Sequence, residues 1–133
     1  MIMVDASGTP LAVHTTSASP AEVKLVQDTL IASFGFDFSQ RLIGDNAYDS
    51  DGLDADLAEI GVETIAPNRR NRKRKTQDGR SLRRYKRRWK VERTIAWLQS
   101  FRRVRTRDEY RAPHFLGFVQ PACILMPLRR ISG

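Results

Sequence analysis

Two acidic side chains, and the arginine-rich stretch around one of them, carry the chemistry that this sequence could perform. Asp45 follows an apolar run at residues 42–43 and so stands at the end of a predicted strand. Glu92 lies in the segment 89–93, with basic residues on both sides. Carboxylates from a strand end and a packed helix suit Mg²⁺, which prefers hard oxygen ligands and keeps several waters. Such ions can activate a nucleophile and stabilise the leaving oxygen of a phosphodiester. This pattern predicts a metal-assisted phosphoryl-transfer site.

A tyrosine and an arginine accompany Glu92 on a predicted helix. At about 100° per residue, Tyr85, Arg88 and Glu92 fall on one face. Arg88 offers paired donors, so with Tyr85 it could orient a scissile phosphate. From Val91 onward the helix is apolar almost all round and is predicted to be largely buried, where a glutamate needs a partner. A structural ion pair of Glu92 with Arg88 or Arg93 is the simpler interpretation, and the sequence leaves both open.

Charge is divided sharply along the chain. Residues 69–111 contain nineteen Lys or Arg and four acids, whereas residues 1–68 contain two bases and eleven acids. This split predicts a half that binds a polyanion, and nucleic acid fits best, although a merely solvated charge run is the alternative. Phosphate contacts would give affinity and salt sensitivity without sequence choice. The residues predicted to contact DNA are Arg69, Arg70, Arg72, Lys73, Arg74, Lys75, Arg84, Arg87, Arg102 and Arg103.

The elements that would position these residues follow an α/β pattern. The predicted strands cover residues 1–4, 9–15, 41–44 and 62–66, with parallel pairing for the last two. The predicted helices cover residues 19–33, 50–60 and 81–103, and a last helix begins at about residue 113. Ser19 is predicted to cap the first helix, and Ile60 is predicted to lie on the apolar face of the second. Pro121 should kink the last helix. A basic loop at 68–80, mobile without its ligand, precedes the long helix.

Composition limits the remaining possibilities. A chain of 133 residues is one domain or part of one. Cys123 is the single cysteine, which indicates a reducing compartment and a core position for this residue. Neither a signal peptide nor a bilayer-spanning run is visible, so no membrane partner is predicted. Asp49, Asp51, Asp54 and Asp56 lack the spacing of a calcium loop; helix capping and favourable placement near a helix amino end are predicted for them instead. Trp89 and Trp97 are predicted to be core residues, with Trp89 the more plausible base-stacking exception.

Two segments resemble a known family. Residues 44–50, Gly-Asp-Asn-Ala-Tyr-Asp-Ser, are similar to the second-aspartate segment of DDE transposases from bacterial insertion sequences. The pattern Tyr85-x2-Arg88-x3-Glu92, continuing through residues 97–103, resembles their third-acid segment. Residues 115–130 resemble the carboxyl end of the family. Both motifs occur in the family's order with a basic loop between them, and the likeness covers nearly the whole chain.

The resemblance implies a partial ribonuclease H-like fold, in which a mixed sheet has flanking helices and a long basic helix carries the third acid. It implies Mg²⁺ or Mn²⁺ as cofactor, and cleavage and joining of double-stranded DNA at transposon ends. Asp45 and Glu92 would be the second and third catalytic acids and metal ligands, with Tyr85 and Arg88 as the accessory phosphate-orienting pair. A homo-oligomer and an upstream transposase portion would be protein partners. The expected location is the bacterial cytoplasm, at the nucleoid when DNA is bound.

Three features depart from the family pattern. Gln99 stands where a lysine is usual, although two arginines follow one turn later. Pro121 and Pro127 occur in a helix that is usually unbroken. The first catalytic aspartate is expected on a strand upstream of residue 1, because residues 5–8 resemble the turn between the second and third strands of the fold. Asp5 is therefore not predicted to bind metal.

These observations predict that residues 1–133 are the carboxyl-terminal part of a DDE transposase catalytic domain. Such a chain would bind DNA and supply two of three metal-binding acids, but would not cleave DNA alone. Two alternatives stay open. One is a non-catalytic basic nucleic-acid-binding protein in which Glu92 is structural. The other is a stand-alone nuclease of the same fold that uses Asp5 as its third acid.

Overall fold

The residues that the computed structural model describes are 1–17, 21–33, 40–76 and 79–133. They fall into two units. Unit 1 is drawn from residues 1–35 and 89–133, and unit 2 from residues 36–88. In sequence, unit 2 is therefore an insertion into unit 1, and unit 1 is completed by the carboxyl-terminal segment.

Unit 1 begins with the predicted β-hairpin. β1 (Ile2–Val4) pairs antiparallel with β2 (Pro10–Val13). The carboxylate of Asp5 closes the turn, because Oδ1 accepts hydrogen bonds from the N–H groups of Ser7 at 2.7 Å and Thr9 at 2.8 Å. Gly8 has a φ of +87°, a conformation that glycine adopts without steric cost.

The first helix of unit 1 is α1 (Leu25–Ile31), which follows a 3₁₀ turn at Glu22–Lys24. It buries Val26 and Leu30, as the apolar spacing indicated. The predicted cap at Ser19 lies outside the described residues.

Unit 2 contains a strand–helix–strand motif. β3 (Arg41–Ile43) and β4 (Glu63–Ile65) pair in parallel, which confirms the prediction, and α2 (Asp51–Glu59) connects them. Leu53 and Leu57 are buried on α2. Ile60, predicted to share a face with them, is 51% exposed. It stands at the carboxyl cap, where the chain leaves the helix before Gly61, whose φ is +77°.

The described strands pair two by two. β1 and β2 form one sheet and β3 and β4 form another, so the single mixed sheet predicted from the sequence is not seen among the described residues. The fold class is mixed α/β with small sheets and flanking helices.

The long helix predicted over residues 81–103 is divided, and that prediction was wrong. α3 (Gly79–Tyr85) gives way to a 3₁₀ turn at Lys86–Arg88, followed by α4 (Trp89–Leu98) and the separate α5 (Arg102–Arg105). Like charges three and four positions apart repel on a helix, and residues 83–88 supply several. Farther on, the extended backbone of Phe101 caps α5 and prevents its fusion with α4.

The last element of unit 1 is α6 (Ala112–Ser132). It is continuous through Pro121 and Pro127, so neither proline ends the helix. Pro121 and Gly117, one turn earlier, are both exposed, and water can satisfy the carbonyl that lacks its helical donor.

The core of unit 1 joins α6 to the hairpin and α4. Its buried members are Val13, Leu98, Val119, Ala122, Cys123 and Met126. Burial raises the pKa of the Cys123 thiol to about 11, as expected for the predicted core residue. Among the described residues, no helix combines the length and apolar character needed to cross a bilayer.

Candidate active site

Asp45 stands just beyond the carboxyl end of β3, where it caps a 3₁₀ turn at Asn46–Tyr48. Its Oδ1 accepts a hydrogen bond from the N–H of Ala47 at 2.9 Å. The preceding residue must be small, because a Cβ on Gly44 would lie 2.7 Å from Cδ2 of Tyr48. Close packing of the Tyr48 ring against Gly44 therefore helps to fix the loop that presents the Asp45 carboxylate.

Arg88 links Asp45 to Tyr85 within unit 2. Its Nη2 donates to Asp45 Oδ2 at 3.5 Å, and its Nη1 donates to the Tyr85 hydroxyl at 3.4 Å. Three predicted site residues are thus neighbours, although Asp45 and Arg88 are 43 positions apart. Both contacts are long for hydrogen bonds, and about a third of each partner in the ion pair is exposed.

Asp49 fixes the Asp45 loop, a role that the sequence did not reveal. Its side chain is buried, with Oδ2 accepting from the backbone N–H of Arg69 at 2.7 Å and Oδ1 accepting from Arg72 Nη1 at 2.5 Å. The predicted capping role for Asp49 is wrong, because Ser50 is the residue that caps α2. The parallel strand–helix–strand pattern could have indicated this contact, because the residues just after β3 and just after β4 lie at the same edge of the sheet.

Arg69 adds a second connection between the two loops. Its Nε donates to the carbonyl of Asn46 at 3.1 Å, and its Nη2 donates to the carbonyl of Ala47 at 2.7 Å. The first residue of the basic run therefore holds the same 3₁₀ turn that Asp45 caps.

The ten basic residues predicted to contact DNA have different environments. The Arg72 side chain is 14% exposed and pairs with Asp49 and Asp51, so its guanidinium also holds the loop in place. Arg103 is exposed but lies 3.6 Å from Asp108 and 3.7 Å from Glu109. The other exposed members are Arg69, Arg70, Lys73, Arg74, Lys75, Arg84, Arg87 and Arg102.

Glu92 is an exposed residue of α4 in unit 1. The prediction of a largely buried helix was wrong, since the buried residues of α4 are Thr94 and Leu98, while Trp89 is 51% exposed. One stripe of α4 packs on the core and the remainder faces solvent. Glu92 therefore escapes the desolvation cost that a buried carboxylate would carry. Trp89 is not a core residue, and the guanidinium carbon of Arg93 lies 4.9 Å from its ring centroid.

The donor chemistry at Asp45 and Glu92 fits a hard divalent cation, because both are carboxylates and neither is fully buried. No group of three or more His, Cys, Asp or Glu in the described part of the chain is arranged to hold a metal. Asp5 is committed to its turn, where Oδ1 also accepts from the Ser7 hydroxyl at 2.7 Å. Burial alone would raise the pKa of Asp5, but hydrogen bonds from Ser7, Thr9 and Gly8 hold it below its ordinary value.

Comparison with known proteins decides the family. Residues 1–124 match the family model described as the transposase DDE domain. The chain belongs to the DDE transposase family. It is 34% identical, over 133 residues, to a Burkholderia cepacia protein named as a transposase for insertion sequence element IS402. It is 31% identical, over 127 residues, to a Brucella ovis protein named as a transposase for insertion sequence element IS6501.

The two DDE relatives differ in how much of their length is matched. The first alignment covers 94% of this chain and 60% of the Burkholderia protein. The second covers 96% of this chain and 95% of the Brucella protein. No solved structure matches the chain.

Proposed function

We propose that this chain acts in DNA transposition, by binding DNA phosphates and by contributing Asp45 and Glu92 to a metal-assisted site for strand cleavage and joining. The observation that carries the proposal is the grouping of Asp45, Arg88 and Tyr85 in a chain of the DDE transposase family. A ribonuclease H-like arrangement of the catalytic domain is part of this proposal. The parallel pairing of β3 and β4, with Asp45 at the edge, supports it.

Each site residue has a distinct role. Asp45 and Glu92 would hold Mg²⁺ or Mn²⁺, and the ion would supply an activated water and stabilise the leaving oxygen. Arg88 binds the scissile phosphate through its paired donors. The Tyr85 hydroxyl keeps Arg88 oriented toward the Asp45 edge, since it lies 3.4 Å from Arg88 Nη1.

The basic loop supplies DNA affinity. Arg69 and Arg72 fasten it to Asp49, and Thr76 closes residues 68–76 through its hydroxyl, which lies 3.3 Å from Asn68 Oδ1. The exposed cations between these anchors contact phosphates of double-stranded DNA at transposon ends; they are Arg70, Lys73, Arg74 and Lys75. A homo-oligomer, or an upstream portion of the transposase, completes the active assembly.

We expect the 133-residue chain to bind DNA without cleaving it alone. Asp5 is engaged by Ser7 and Thr9 in the hairpin turn, so it does not serve as a third metal acid. Incubation of supercoiled plasmid with the purified chain and Mg²⁺ tests this expectation. Robust nicking that disappears in Glu92→Gln would overturn it, and loss in Asp5→Ala would favour the stand-alone nuclease.

Metal binding can be measured without activity, by Mn²⁺ titration followed by water-proton relaxation. Asp45→Asn keeps an acceptor for the Ala47 N–H but removes the charge, and Glu92→Gln changes an exposed side chain. Each should weaken Mn²⁺ binding at least about tenfold, since loss of outer-shell partners alone costs about 10–100-fold. Asp28→Asn, at an exposed position of α1, is the matched control. Unchanged binding in both site variants would leave a non-catalytic basic DNA-binding protein.

DNA binding is tested by fluorescence anisotropy with duplex DNA across a salt series. Each phosphate contact contributes about 0.9 to the slope of log affinity against log salt. Lys73→Gln/Arg74→Gln should therefore lower the slope by about 2. Arg105→Gln/Arg111→Gln removes the same charge from two exposed positions outside the loop. Equal slopes for the two double variants would mean that the loop contributes through net charge and not through direct contacts.

A further inference from the structure

Three cationic side chains converge on the turn between β1 and β2 in unit 1. Arg93 Nη2 donates to the carbonyl of Ser7 at 3.0 Å, and Arg130 Nη1 donates to the same oxygen at 3.4 Å. Lys90 Nζ donates to the carbonyl of Ala6. Two guanidinium groups from different helices, α4 and α6, are thus brought together on one neutral acceptor.

The charge of this arginine pair is not balanced by an acid. Neither Arg93 nor Arg130 forms an ion pair with Asp or Glu among the residues that the structure describes. The nearby carboxylate of Asp5 is turned into its own hairpin, toward Ser7 and Thr9. Each guanidinium has five N–H donors, and the Ser7 carbonyl takes one from each. The remaining N–H donors of the pair are available, and the two positive charges repel each other. A bound anion would accept hydrogen bonds from these donors and reduce the repulsion.

A cavity of about 410 Å³ adjoins the arginine pair. Arg93 and Arg130 line it, and Trp97, Met126 and Pro127 provide an apolar and aromatic wall. Its volume lies within the range of about 300–1,000 Å³ typical of small-ligand sites. A ligand that fits this lining has an anionic group for the arginines and a flat apolar part for the wall.

We propose that this cavity is a nucleotide pocket, in which Arg93 and Arg130 bind a phosphate and the Trp97 wall receives a base. The pocket lies entirely within unit 1, and its lining includes neither Asp45, Glu92 nor any residue of the basic loop. It extends the proposed function because the nucleotide would be an unstacked residue of the bound DNA. Base–aromatic stacking tolerates any sequence, so the pocket would recognise a displaced nucleotide by shape and charge.

The first test uses the unmodified chain and NMR of the arginine Nε–Hε groups. Titration with deoxyadenosine 5′-monophosphate should shift the Arg93 and Arg130 signals and leave that of Arg129 in place. Deoxyadenosine without phosphate should move neither. If inorganic phosphate binds as tightly as the nucleotide, the base-binding half of the proposal is wrong. If the nucleotide leaves both signals unmoved at millimolar concentration, the pocket is not a nucleotide site.

The second test asks whether the pocket takes part in DNA binding. Arg93→Gln/Arg130→Gln keeps an amide donor at each position and removes two charges. The matched control is Arg105→Gln/Arg129→Gln, which removes two charges from α5 and α6 outside the pocket. With duplex DNA that carries one unpaired nucleotide, the pocket variant should lose at least about tenfold in affinity relative to the control, since hydrogen bonds to charged groups contribute about 1.5–3 kcal/mol.

The outcomes separate this proposal from the general function. If the wild-type chain fails to bind any DNA, the proposed function fails. If wild-type binding persists and the pocket variant equals its control on both perfect and unpaired duplexes, the pocket proposal alone is wrong. Thermal unfolding of both double variants should agree within about 1 kcal/mol, because the arginines are exposed and contribute little to stability. A pocket variant that unfolds is replaced by Pro127→Glu, which sets a carboxylate on the cavity wall at a half-buried position of α6 and should also abolish the nucleotide shifts.

Discussion

Replacement of Asp49 by alanine should destabilise unit 2 by much more than replacement of its neighbour Asp51. The Asp49 side chain is 2% exposed and the Arg72 side chain is 14% exposed. Removal of one partner from a buried ion pair costs about 3–5 kcal/mol, because the other charge stays buried. Arg72 would retain Asp51, which is 83% exposed, and such a surface pair returns up to about 1 kcal/mol. We therefore expect Asp49→Ala to cost about 3 kcal/mol.

The assay must report on unit 2 by itself. Both tryptophans lie in unit 1, so their fluorescence is unsuitable. Native-state hydrogen exchange of the amides in β4 and α2 measures the free energy of opening in this region. Asp51→Ala is the control and should cost less than about 1 kcal/mol, because its side chain is mostly exposed.

A double variant distinguishes the buried charge from other effects. Asp49→Ala/Arg72→Ala should be more stable than Asp49→Ala alone, since it removes the charge left without its buried partner. The reasoning would be refuted if Asp49→Ala lowered protection no more than Asp51→Ala, or if the double variant were the least stable of the three.

Three further substitutions or treatments have defined outcomes. Gly44→Ala should lower the free energy of unfolding by about 1–3 kcal/mol, measured by hydrogen exchange, because the new Cβ would overlap the Tyr48 ring. Thr94→Val should cost about 1–3 kcal/mol in urea unfolding followed by tryptophan fluorescence, since the buried hydroxyl donates to the Gly8 carbonyl at 2.7 Å. The Cys123 thiol, with a pKa raised to about 11 by burial, should react with a disulfide reagent at pH 8 far more slowly in the folded chain than in urea.

The two substitutions have matched controls. Gly52→Ala should be tolerated or slightly stabilising, because the nearest atom to its Cβ is 3.9 Å away and the residue lies in α2. Thr106→Val changes an exposed hydroxyl and should alter stability by less than about 0.5 kcal/mol. A Gly44→Ala loss no larger than that of Gly52→Ala would contradict the packing argument. Equal Cys123 labelling rates in folded and unfolded chains would show that the thiol is not in a closed core.

Local patterns predicted the elements that depend on neighbours in sequence. A short apolar run, helical spacing of leucines and a terminal glycine located β3, α2 and β4 and their parallel pairing, because a short strand–helix–strand motif allows few other arrangements. The position of Asp45 at a strand end followed from the same pattern. The whole motif lies within residues 41–65, so its elements are close in sequence.

Features that depend on residues far apart in sequence could not be predicted from local patterns. The burial of Asp49 depends on Arg69 and Arg72, which arrive beside it only after β4 has paired. The division of the long helix is explained by the concentration of like charges at residues 83–88, and the spacing of apolar residues gives no information about such repulsion. The exposure of Glu92 depends on which stripe of α4 meets the core, and its apolar residues alone did not indicate that stripe.

The composition of unit 1 from both ends of the sequence has a consequence for synthesis. Val13 packs in a core whose other buried members come from α4 and α6, so the hairpin has no complete partner until the ribosome has synthesised α6. Residues 36–88 can assemble earlier, because β3, α2 and β4 are close in sequence. A message that ended before α6 would leave apolar hairpin residues uncovered and prone to aggregation or proteolysis, while the Asp45 loop could still form.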